Sequence, residues 1–370
     1  YQGYINPDGT IVSPAFGDQG YDYSEGFARV SFGENKDYYG FINLFGHFIG
    51  LPLFTGAKDF YSGIAPVKYK DTASYIDKNG ERVKTQIEKW GYINNNGEII
   101  IRGRFDDAGF FSEGLAPVMI DKKWGYIDEQ GEFAIDTSFQ YGGVFSEGLA
   151  LAVTQGSVGY INYNGEFVIP PQFRKGTAFK HDLALVRTFD RPFFINTKGE
   201  KFTKGFFGRH EKYHINYNFS EGGYTVVKMD DYHYVVDVNG RQVFRVKCHN
   251  IKPFVDGLTE VVINPEYDDK SAIVDTTGKI VVPYKYKLLQ PMYNNRARFE
   301  NDDYNFGYLS RNGEKVISDY FTDANDFSCG LAVVSWRKYD KQSRRYFWMH
   351  GYIDTTGNHV SILSQGNIKF

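Results

Sequence analysis

The chain has 370 residues and a net charge of −3, a balance that gives no basic footprint for nucleic acid and no basic patch for a membrane surface. Hydrophobic residues make up 42% of the sequence and aromatic residues 18%, which excludes general disorder. No apolar run approaches the ~20 residues that a membrane-spanning helix needs.

A short turn motif recurs along the whole chain and is the clearest marker of each repeat. It reads Asn/Asp-x-x-Gly at ten places and Ser-x-x-Gly at one. The glycines that close these turns are Gly9, Gly46, Gly80, Gly97, Gly131, Gly165, Gly199, Gly240, Gly278, Gly313 and Gly357. A type I turn favours Asp, Asn or Ser first and Gly last, and β-branched or aromatic residues flank the motif. Each turn therefore predicts a β-hairpin.

The hairpins repeat with a basic period of 34 residues, which is clearest from Gly97 to Gly199. Tetratricopeptide helices share this period, but β-branched and aromatic residues predict strands instead. Between Gly80 and Gly97 the spacing falls to 17 residues. We interpret residues 71–88 as an inserted hairpin and place a block boundary near residue 85.

Aromatic residues recur at two further positions of each repeat. The first position precedes a Ser-Glu-Gly-type turn, at Tyr23, Tyr61, Phe111, Phe145, Phe179, Phe219, Phe254 and Phe327, with Tyr293 as a degraded copy. The second follows most hairpin glycines by eight residues, at Phe54, Phe105, Phe139, Phe173, Phe207, Tyr286 and Phe321, and follows Gly9 by seven at Phe16. This regularity predicts buried anchors. Each unit then forms a three-stranded antiparallel meander, which must stack on its neighbours to bury its apolar face.

Two segments carry a resemblance to a known family. The KWGYI-(N/D)-x-x-G hairpin and the FSEGLAPV segment resemble the WG-repeat family, a mostly bacterial set of tandem β-repeats. The match is close over residues 89–173 and looser after residue 200, where Trp-Gly is lost. The resemblance implies an interaction or binding array with no family-wide catalytic residues, and we expect no cofactor.

The predicted fold is all-β, with tandem meanders of about 34 residues stacked in an open superhelical, solenoid-like array. One or two β-propellers are the alternative; no spare strand after the last hairpin is available to close a ring. We expect three blocks: N-terminal repeats in 1–85, the best-matching repeats in 86–200 and diverged repeats in 201–370. The last block carries a projecting hairpin at 335–350.

The segment HEKYH, from His210 to His214, matches the zinc peptidase pattern H-E-x-x-H. That chemistry needs both histidines on one helical turn as zinc ligands and Glu211 as the base, and His233 could supply a third ligand. The flanking residues are typical of strands, so we favour a polar loop. We therefore assign no catalytic, cofactor-binding or metal-binding residue.

Aromatic side chains supply the candidate binding surfaces. Trp90 and Trp124 suit either sugar stacking or packing, and we favour packing between units, with the following glycine allowing close backbone approach. Tyrosines in predicted loops are better candidates for exposed contacts, namely Tyr21, Tyr23, Tyr38, Tyr39, Tyr213, Tyr217, Tyr339 and Tyr346. The 335–350 hairpin joins five cations to five aromatic residues, which suits an acidic partner or a solvated tip.

The two cysteines occupy different positions of the repeat. Cys248 stands where other repeats carry an aromatic anchor, and we expect it to be buried. Cys329 replaces the glutamate of a Ser-Glu-Gly turn. A bridge between them is not expected, and the redox compartment stays open.

These features predict a non-enzymatic scaffold for protein–protein interaction, as an accessory subunit of a bacterial cell-envelope or secreted assembly. The alternatives are a glycan-binding surface module and a zinc peptidase built on His210, Glu211 and His214. The chain begins at Tyr1 rather than Met, which we interpret as removal of a leader or of another N-terminal segment, and we favour the leader. We expect it in the periplasm or at the cell surface of a bacterium, with protein or glycan partners, no nucleic-acid partner and no membrane-spanning segment.

Overall fold

The structure of the protein is a computed structural model. It describes residues 2–5, 11–16, 19–32, 38–76, 78, 81–189, 191–210, 213–216, 219–220, 222–264, 268–289, 292, 294–327, 330–341 and 344–365. Its contacts divide the protein into two compact units, and the backbone passes from the first to the second between Lys201 and Phe202.

The first unit consists of consecutive antiparallel sheets of two to four strands. In sequence order, its sheets are β1 (Gln2–Ile5) and β2 (Ile11–Phe16); β3 (Gln19–Ser24), β4 (Phe27–Phe32), β5 (Tyr38–Asn43) and β6 (Phe48–Phe54); β7 (Gly56–Ala57), β8 (Ile64–Ile76), β9 (Arg82–Asn94) and β10 (Ile99–Phe105); β11 (Asp107–Ala108), β12 (Ala116–Ile120), β13 (Lys123–Ile127) and β14 (Phe133–Phe139); β15 (Tyr141–Ser146), β16 (Leu149–Thr154), β17 (Ser157–Ile161) and β18 (Phe167–Phe173); and β19 (Lys175–Gly176), β20 (Leu183–Arg187) and β21 (Pro192–Asn196).

The second unit repeats the same plan after a single helical turn, α1 (Phe206–Arg209). Its sheets are β22 (His214–Ile215), β23 (Tyr224–Met229), β24 (Tyr232–Asp237) and β25 (Gln242–Lys247); β26 (Asn250–Ile251), β27 (Leu258–Asn264), β28 (Asp268–Asp275) and β29 (Ile280–Tyr286); β30 (Leu288–Leu289), β31 (Arg296–Glu300), β32 (Phe306–Ser310) and β33 (Lys315–Phe321); and β34 (Asp323–Ala324), β35 (Leu331–Asp340), β36 (Arg345–Asp354) and β37 (His359–Gln365).

The predicted all-β tandem meander is confirmed, and most sheets carry one more short strand than expected. In the sheet β11–β14, the strands β12, β13 and β14 form the meander. The two-residue β11 pairs with the other side of β12, where it satisfies backbone groups that would otherwise form a free sheet edge. The preference for an open array over a propeller stays a prediction.

The aromatic anchors fill cores that lie between consecutive sheets. Phe111, Phe145 and Phe179 are at most 3% exposed. One such core joins Tyr126 and Phe139 of one sheet to Phe145 of the next. A meander therefore buries its apolar face only against its neighbour, as the repeat pattern predicts.

In four repeats, a buried tyrosine of the hairpin forms a hydrogen bond to the sheet that follows. Its hydroxyl donates a hydrogen bond to a backbone carbonyl 17 residues later. The four bonds join Tyr92 to Gly109 at 3.0 Å, Tyr126 to Gly143 at 2.8 Å, Tyr160 to Thr177 at 2.9 Å and Tyr308 to Asn325 at 2.6 Å. Burial raises the pKa of each phenol, so the hydroxyl stays a neutral donor.

One anchor differs by a residue from the sequence assignment. Phe60 is 1% exposed and fills the core, whereas Tyr61 is 51% exposed. Ser62 and Gly63 have the left-handed φ values of the Ser-Glu-Gly turn, so Tyr61 takes the position that serine holds elsewhere. Its phenol is directed away from the core for that reason, and the sequence assignment of Tyr61 as the anchor is wrong.

Several anchors and turns predicted from the sequence lie partly or wholly outside the described residues. Met292, 1% exposed, belongs to a core of the second unit next to Tyr293, which lies outside the described residues. The side chains of Tyr23 and Phe16 also lie outside them, as do the turn residues ending at Gly9 and, apart from Lys78, those ending at Gly80.

The short spacing after Gly80 has a simple origin. The ladder of β8 with β9 runs without a break from Ile64 paired with Asn94 to Ile76 paired with Arg82. Residues 71–88 therefore lengthen an existing hairpin rather than forming a second one.

Candidate functional site

The HEKYH segment is not arranged as in a zinc peptidase. The helix α1 ends at Arg209, and His210 has extended backbone angles of φ −120° and ψ 131°. The His210 ring packs on Phe206 with ring centroids 4.5 Å apart. His214 lies in strand β22, paired with Lys228, and Glu211 is outside the described residues. The two histidines therefore do not share the helical turn that this chemistry requires.

His233, the proposed third ligand, contacts Cys248 instead. The His233 Nδ1 atom lies 3.4 Å from the Cys248 Sγ atom, and His233 is 1% exposed. Burial raises the pKa of the Cys248 thiol to about 11, and burial likewise lowers the pKa of His233. Both groups are therefore neutral near pH 7, whereas a nucleophilic cysteine needs a thiolate. Cys248 packs in its anchor position but is half-buried, so the prediction that it is fully buried is wrong, and Cys329 lies outside the described residues.

No cluster of metal ligands emerges elsewhere in the described part of the protein. Among those residues, no three His, Cys, Asp or Glu side chains lie close enough together to hold a metal ion. The same residues contain no helix with the length and apolarity to cross a membrane.

The tryptophans of the Trp-Gly-Tyr strands contribute to packing. Trp90 and Trp124 are half-buried, and each packs against a core cluster. Trp124 also contacts Tyr141 with ring centroids 5.7 Å apart. The glycine between Trp124 and Tyr126 is crowded by the next strand of its own sheet, not by a neighbouring repeat. The expectation that this glycine serves contact between repeats is therefore wrong.

The loop tyrosines divide into exposed and buried groups. Tyr38, Tyr339 and Tyr346 are exposed, at 38%, 47% and 69%, whereas Tyr213 is 7% exposed and belongs to a buried aromatic cluster. Tyr21 and Tyr39 are half-buried, and both rings lie beside the guanidinium of Arg29. Tyr217 is outside the described residues.

The hairpin at 335–350 presents three exposed aromatic side chains, Tyr339, Tyr346 and Trp348. Strands β35 and β36 pair Arg337 with Trp348 and Tyr339 with Tyr346. Because alternate residues share a face, these four side chains lie on one side of the hairpin. The Arg337 guanidinium lies 4.6 Å from the Trp348 ring centroid, and the two tyrosine rings are 5.0 Å apart. We call this face the ribbon face.

On the opposite side of the same strands, the residues nearest the sheet are buried in the core. Trp336 and Met349 are cross-strand partners and are 9% and 5% exposed. They fix the base of the hairpin, so the ribbon face is carried on a packed element and not on a loose loop.

An open groove adjoins the ribbon face. It has a volume of about 560 Å³ and is lined by Arg337 and Trp348 together with Tyr304 and Tyr320. Tyr304 is 68% exposed, and the ammonium of Lys287 lies 4.0 Å from its ring centroid. Sequence reasoning missed both tyrosines because neither stands at a repeated position. The acidic, turn-like segment NDDYN was the available signal for Tyr304.

The positive charges of the hairpin are available for a partner. Within the described residues, Arg337, Lys338, Lys341, Arg344 and Arg345 form no ion pair. They lie in a protein whose net charge is −3, so the hairpin is a local reversal of sign. Such a patch favours an acidic surface.

Comparisons with known proteins identify the repeat. A family model described as "WG containing repeat" matches residues 3–35, 39–72, 90–124, 124–156, 159–188, 273–304 and 306–335. These segments together cover more than half of the sequence, and two of them lie beyond residue 200. No curated protein matches the sequence.

Several solved structures are similar to this protein at low sequence identity. A eukaryotic initiation factor is 11% identical with a TM-score of 0.45, covering 99% of this chain and 96% of its own. Hsv2 from Kluyvelomyces marxianus is 8% identical with a TM-score of 0.34, covering 70% of this chain and 96% of its own. The WD40 β-propeller domain of Doa1 is 11% identical with a TM-score of 0.28, covering 62% of this chain and 90% of its own. Similarity at this level carries no inference about function.

The family resemblance seen in the KWGYI and FSEGLAPV segments is thus confirmed by seven matched repeats. The protein belongs to the WG containing repeat family.

Proposed function

We propose that the protein is a non-enzymatic scaffold that binds a protein partner, and that the ribbon face with its adjoining groove is the main contact surface. The observation that carries this proposal is the exposure of Tyr339, Tyr346 and Trp348, at 47%, 69% and 47%, beside cations that have no ion-pair partner among the described residues. Tyrosine, tryptophan and arginine are the residues enriched in protein interfaces and their hot spots.

The chemistry of this surface favours an acidic protein segment. The complex is stabilised when a partner removes the exposed apolar area of each aromatic side chain from water. The exposed Arg344 and Arg345 at the hairpin turn would speed association with an acidic partner and select against a basic one. Because the strands below are packed, little conformational entropy is lost on binding.

A scaffold role also accords with the neutral state of the His233 and Cys248 pair and with the separation of His210 and His214 on different elements. We extend the proposal to an accessory subunit of a bacterial cell-envelope or secreted assembly. The mostly bacterial occurrence of the repeat supports this part.

The test is affinity capture from the native source with two hairpin-shortened variants. The first variant replaces residues 338–347 by Asn-Gly, a sequence that favours a tight hairpin turn. The matched control shortens the ribbon of β8 and β9 by replacing residues 73–85 in the same way. We expect the partner to be lost with the first variant and kept with the control; capture by both variants would overturn the proposal.

A glycan ligand is the second candidate, because Tyr304 and Trp348 expose rings on one groove. A glycan array probed with the full-length protein and with Trp348→Ala separates the two candidates. Glycan binding that disappears in the variant would favour the glycan module. Absence of glycan binding together with capture of an acidic protein would favour the scaffold.

A further inference from the structure

Three Ser-Glu-Gly-type turns of the first unit are each held by a glutamate from the preceding repeat. The carboxylate of each glutamate accepts hydrogen bonds from two successive backbone N–H groups of the next turn. Glu25 binds Ser62 N and Gly63 N at 2.8 Å each, Glu113 binds Glu147 N at 2.8 Å and Gly148 N at 3.1 Å, and Glu147 binds His181 N at 2.7 Å and Asp182 N at 2.8 Å.

The shape of the turn explains this preference. The two donating residues have left-handed backbone conformations, with φ values of 56° at Glu147 and 80° at Gly148. Two successive N–H groups in such a turn converge on one point and form a concave anion-binding nest. The serine of the same motif adds a second link, because Ser112 Oγ donates to Phe145 O and Ser146 Oγ donates to Phe179 O.

The turn at Glu113 and Gly114 has the same geometry but a different neighbour. Its φ values are 53° and 83°, and Ser112 and Leu115 exchange two backbone hydrogen bonds across it at 2.9 and 3.1 Å. The preceding repeat has Ser62 at the position that Glu25, Glu113 and Glu147 hold in the three linking repeats. A serine side chain is too short for this link, and no described residue accepts a hydrogen bond from Glu113 N or Gly114 N.

The preceding turn nevertheless lies beside this nest. Tyr61 contacts Phe110 with ring centroids 6.1 Å apart, and the Lys58 ammonium lies 3.1 Å from Asp107 Oδ1. Glu113 and Gly114 are both exposed, and Tyr61 is 51% exposed beside them. A ligand from solution can therefore reach the two N–H groups.

We propose that the nest at Glu113 and Gly114 binds a carboxylate supplied by the protein partner, either from an Asp or Glu side chain or from the terminal carboxylate of a polypeptide. The proposal rests on the scaffold function proposed above. The same backbone geometry holds a carboxylate in three sister turns of this unit. The carboxylate of Glu113 itself does not compete, because it is bound to the following turn.

The probe for this site is acetate, which needs no knowledge of the partner. The full-length protein is labelled with [15N]glycine and titrated with sodium acetate against sodium chloride at equal ionic strength. We expect a saturable downfield shift of the Gly114 amide with acetate and none with chloride. The Gly148 amide should stay in place, because Glu113 already occupies its nest. The Gly114 signal is assigned by its loss in Gly114→Asn.

Two variants sharpen the test. Ser62→Glu restores the glutamate of the sister repeats and should abolish the acetate response of Gly114. Ser62→Met has a side chain of similar length without an oxygen acceptor and should keep most of the response, whereas an amide would not serve, because Asn294 Oδ1 accepts from Gly330 N in a later repeat. An unmoved Gly114 amide in the parent protein, or equal shifts at Gly114 and Gly148, would overturn the proposal.

These outcomes are separate from those of the scaffold test. Loss of partner capture on shortening the 335–350 hairpin does not involve the Gly114 amide. An acetate response with no captured protein would leave the nest standing and remove the scaffold function. Capture of a partner protein with no acetate response would support the scaffold function and overturn the proposed carboxylate site at Glu113 and Gly114.

Discussion

The glycine of the Trp-Gly-Tyr strands lies where two strands of one sheet approach most closely. A Cβ atom on Gly125 would lie 2.6 Å from Ile135 O, and a Cβ atom on Gly159 would lie 2.6 Å from Ile169 O. The ladder of β13 with β14 shifts register at this point, between the pairs Trp124 with Phe139 and Tyr126 with Ile135. The extra residues bulge toward the glycine, so only a residue without a side chain fits.

This crowding makes Gly125→Ala strongly destabilising. We expect it to lower the free energy of unfolding by about 1–3 kcal/mol, because the new methyl group meets backbone that cannot move aside. The matched control is Gly143→Ala, whose Cβ atom would be an ordinary 3.5 Å from Leu151 Cβ. Urea unfolding followed by tryptophan fluorescence measures both variants. Equal effects in the two variants would contradict the close-approach explanation.

At the scale of the element, the hairpin turns explain the Asn/Asp-x-x-Gly motif. In the turn from Asp128 to Gly131, the Gly131 N–H donates to Asp128 O at 2.9 Å. The Asp128 carboxylate accepts from Gln130 N at 3.0 Å and from Glu132 N at 2.9 Å. The side chain thus satisfies two backbone donors, and Gly131 supplies the left-handed φ of 85°. Both requirements are local, which is why the motif predicted hairpins so well.

The turn at Asp275 predicts a pH dependence. Asp275 Oδ1 accepts from the Thr277 hydroxyl at 2.6 Å, from Thr277 N at 2.8 Å and from Lys279 N at 3.0 Å. The hydroxyl bond is the main cause that lowers the pKa of Asp275, and partial desolvation acts against it. A lowered folded-state pKa adds stability above the unfolded value of about 3.9, and that stability is lost as the pH falls through the folded value.

We therefore expect Asp275→Asn to lower the midpoint of thermal unfolding near neutral pH and to have little effect at about pH 2.5. Thr277→Ala removes the hydroxyl donor and should raise the Asp275 pKa toward its ordinary value, which a carboxyl NMR titration measures. If the midpoints of thermal unfolding of the parent and of Asp275→Asn differ by the same amount at both pH values, the charge of Asp275 plays no part in stability.

At the scale of the whole molecule, the two units have separate cores. One core of the first unit is centred on Tyr126 and Phe145, and one of the second on Tyr308 and Phe327. Each unit repeats the same sheet plan, so the family signature explains both. The finer division into 1–85, 86–200 and 201–370, with its boundary near 85, stays a proposal.

Separate cores predict separate responses to mutation. Trp90 and Trp124 report on the first unit, and Trp336 and Trp348 report on the second. Two background variants each keep one tryptophan pair and carry phenylalanine in place of the other pair. In these backgrounds, Gly125→Ala should lower the urea midpoint that the first pair reports. The urea midpoint reported by the second pair should stay unchanged. Equal shifts of both transitions would mean that the units unfold as one.

The candidate surfaces were predictable to different degrees. The basic and aromatic composition of residues 335–350 was visible in the sequence, because charge and aromatic content need no fold to be counted. The face they share became visible only through the pairing of β35 with β36. Tyr304, from the preceding sheet, lines the groove beside that face, a placement that no local pattern encodes.

The period, the hairpin turns and most of the buried anchors follow from the amino-acid order alone, because each depends on residues within a few positions of one another. Three-dimensional packing was needed to show that Phe60 and not Tyr61 is buried, that short strands such as β11 complete the sheets, and that Glu25, Glu113 and Glu147 hold the next turn. The glutamate bonds join residues of different repeats that are 34 or more positions apart. Only the packing of one sheet on the next brings such residues within hydrogen-bond distance.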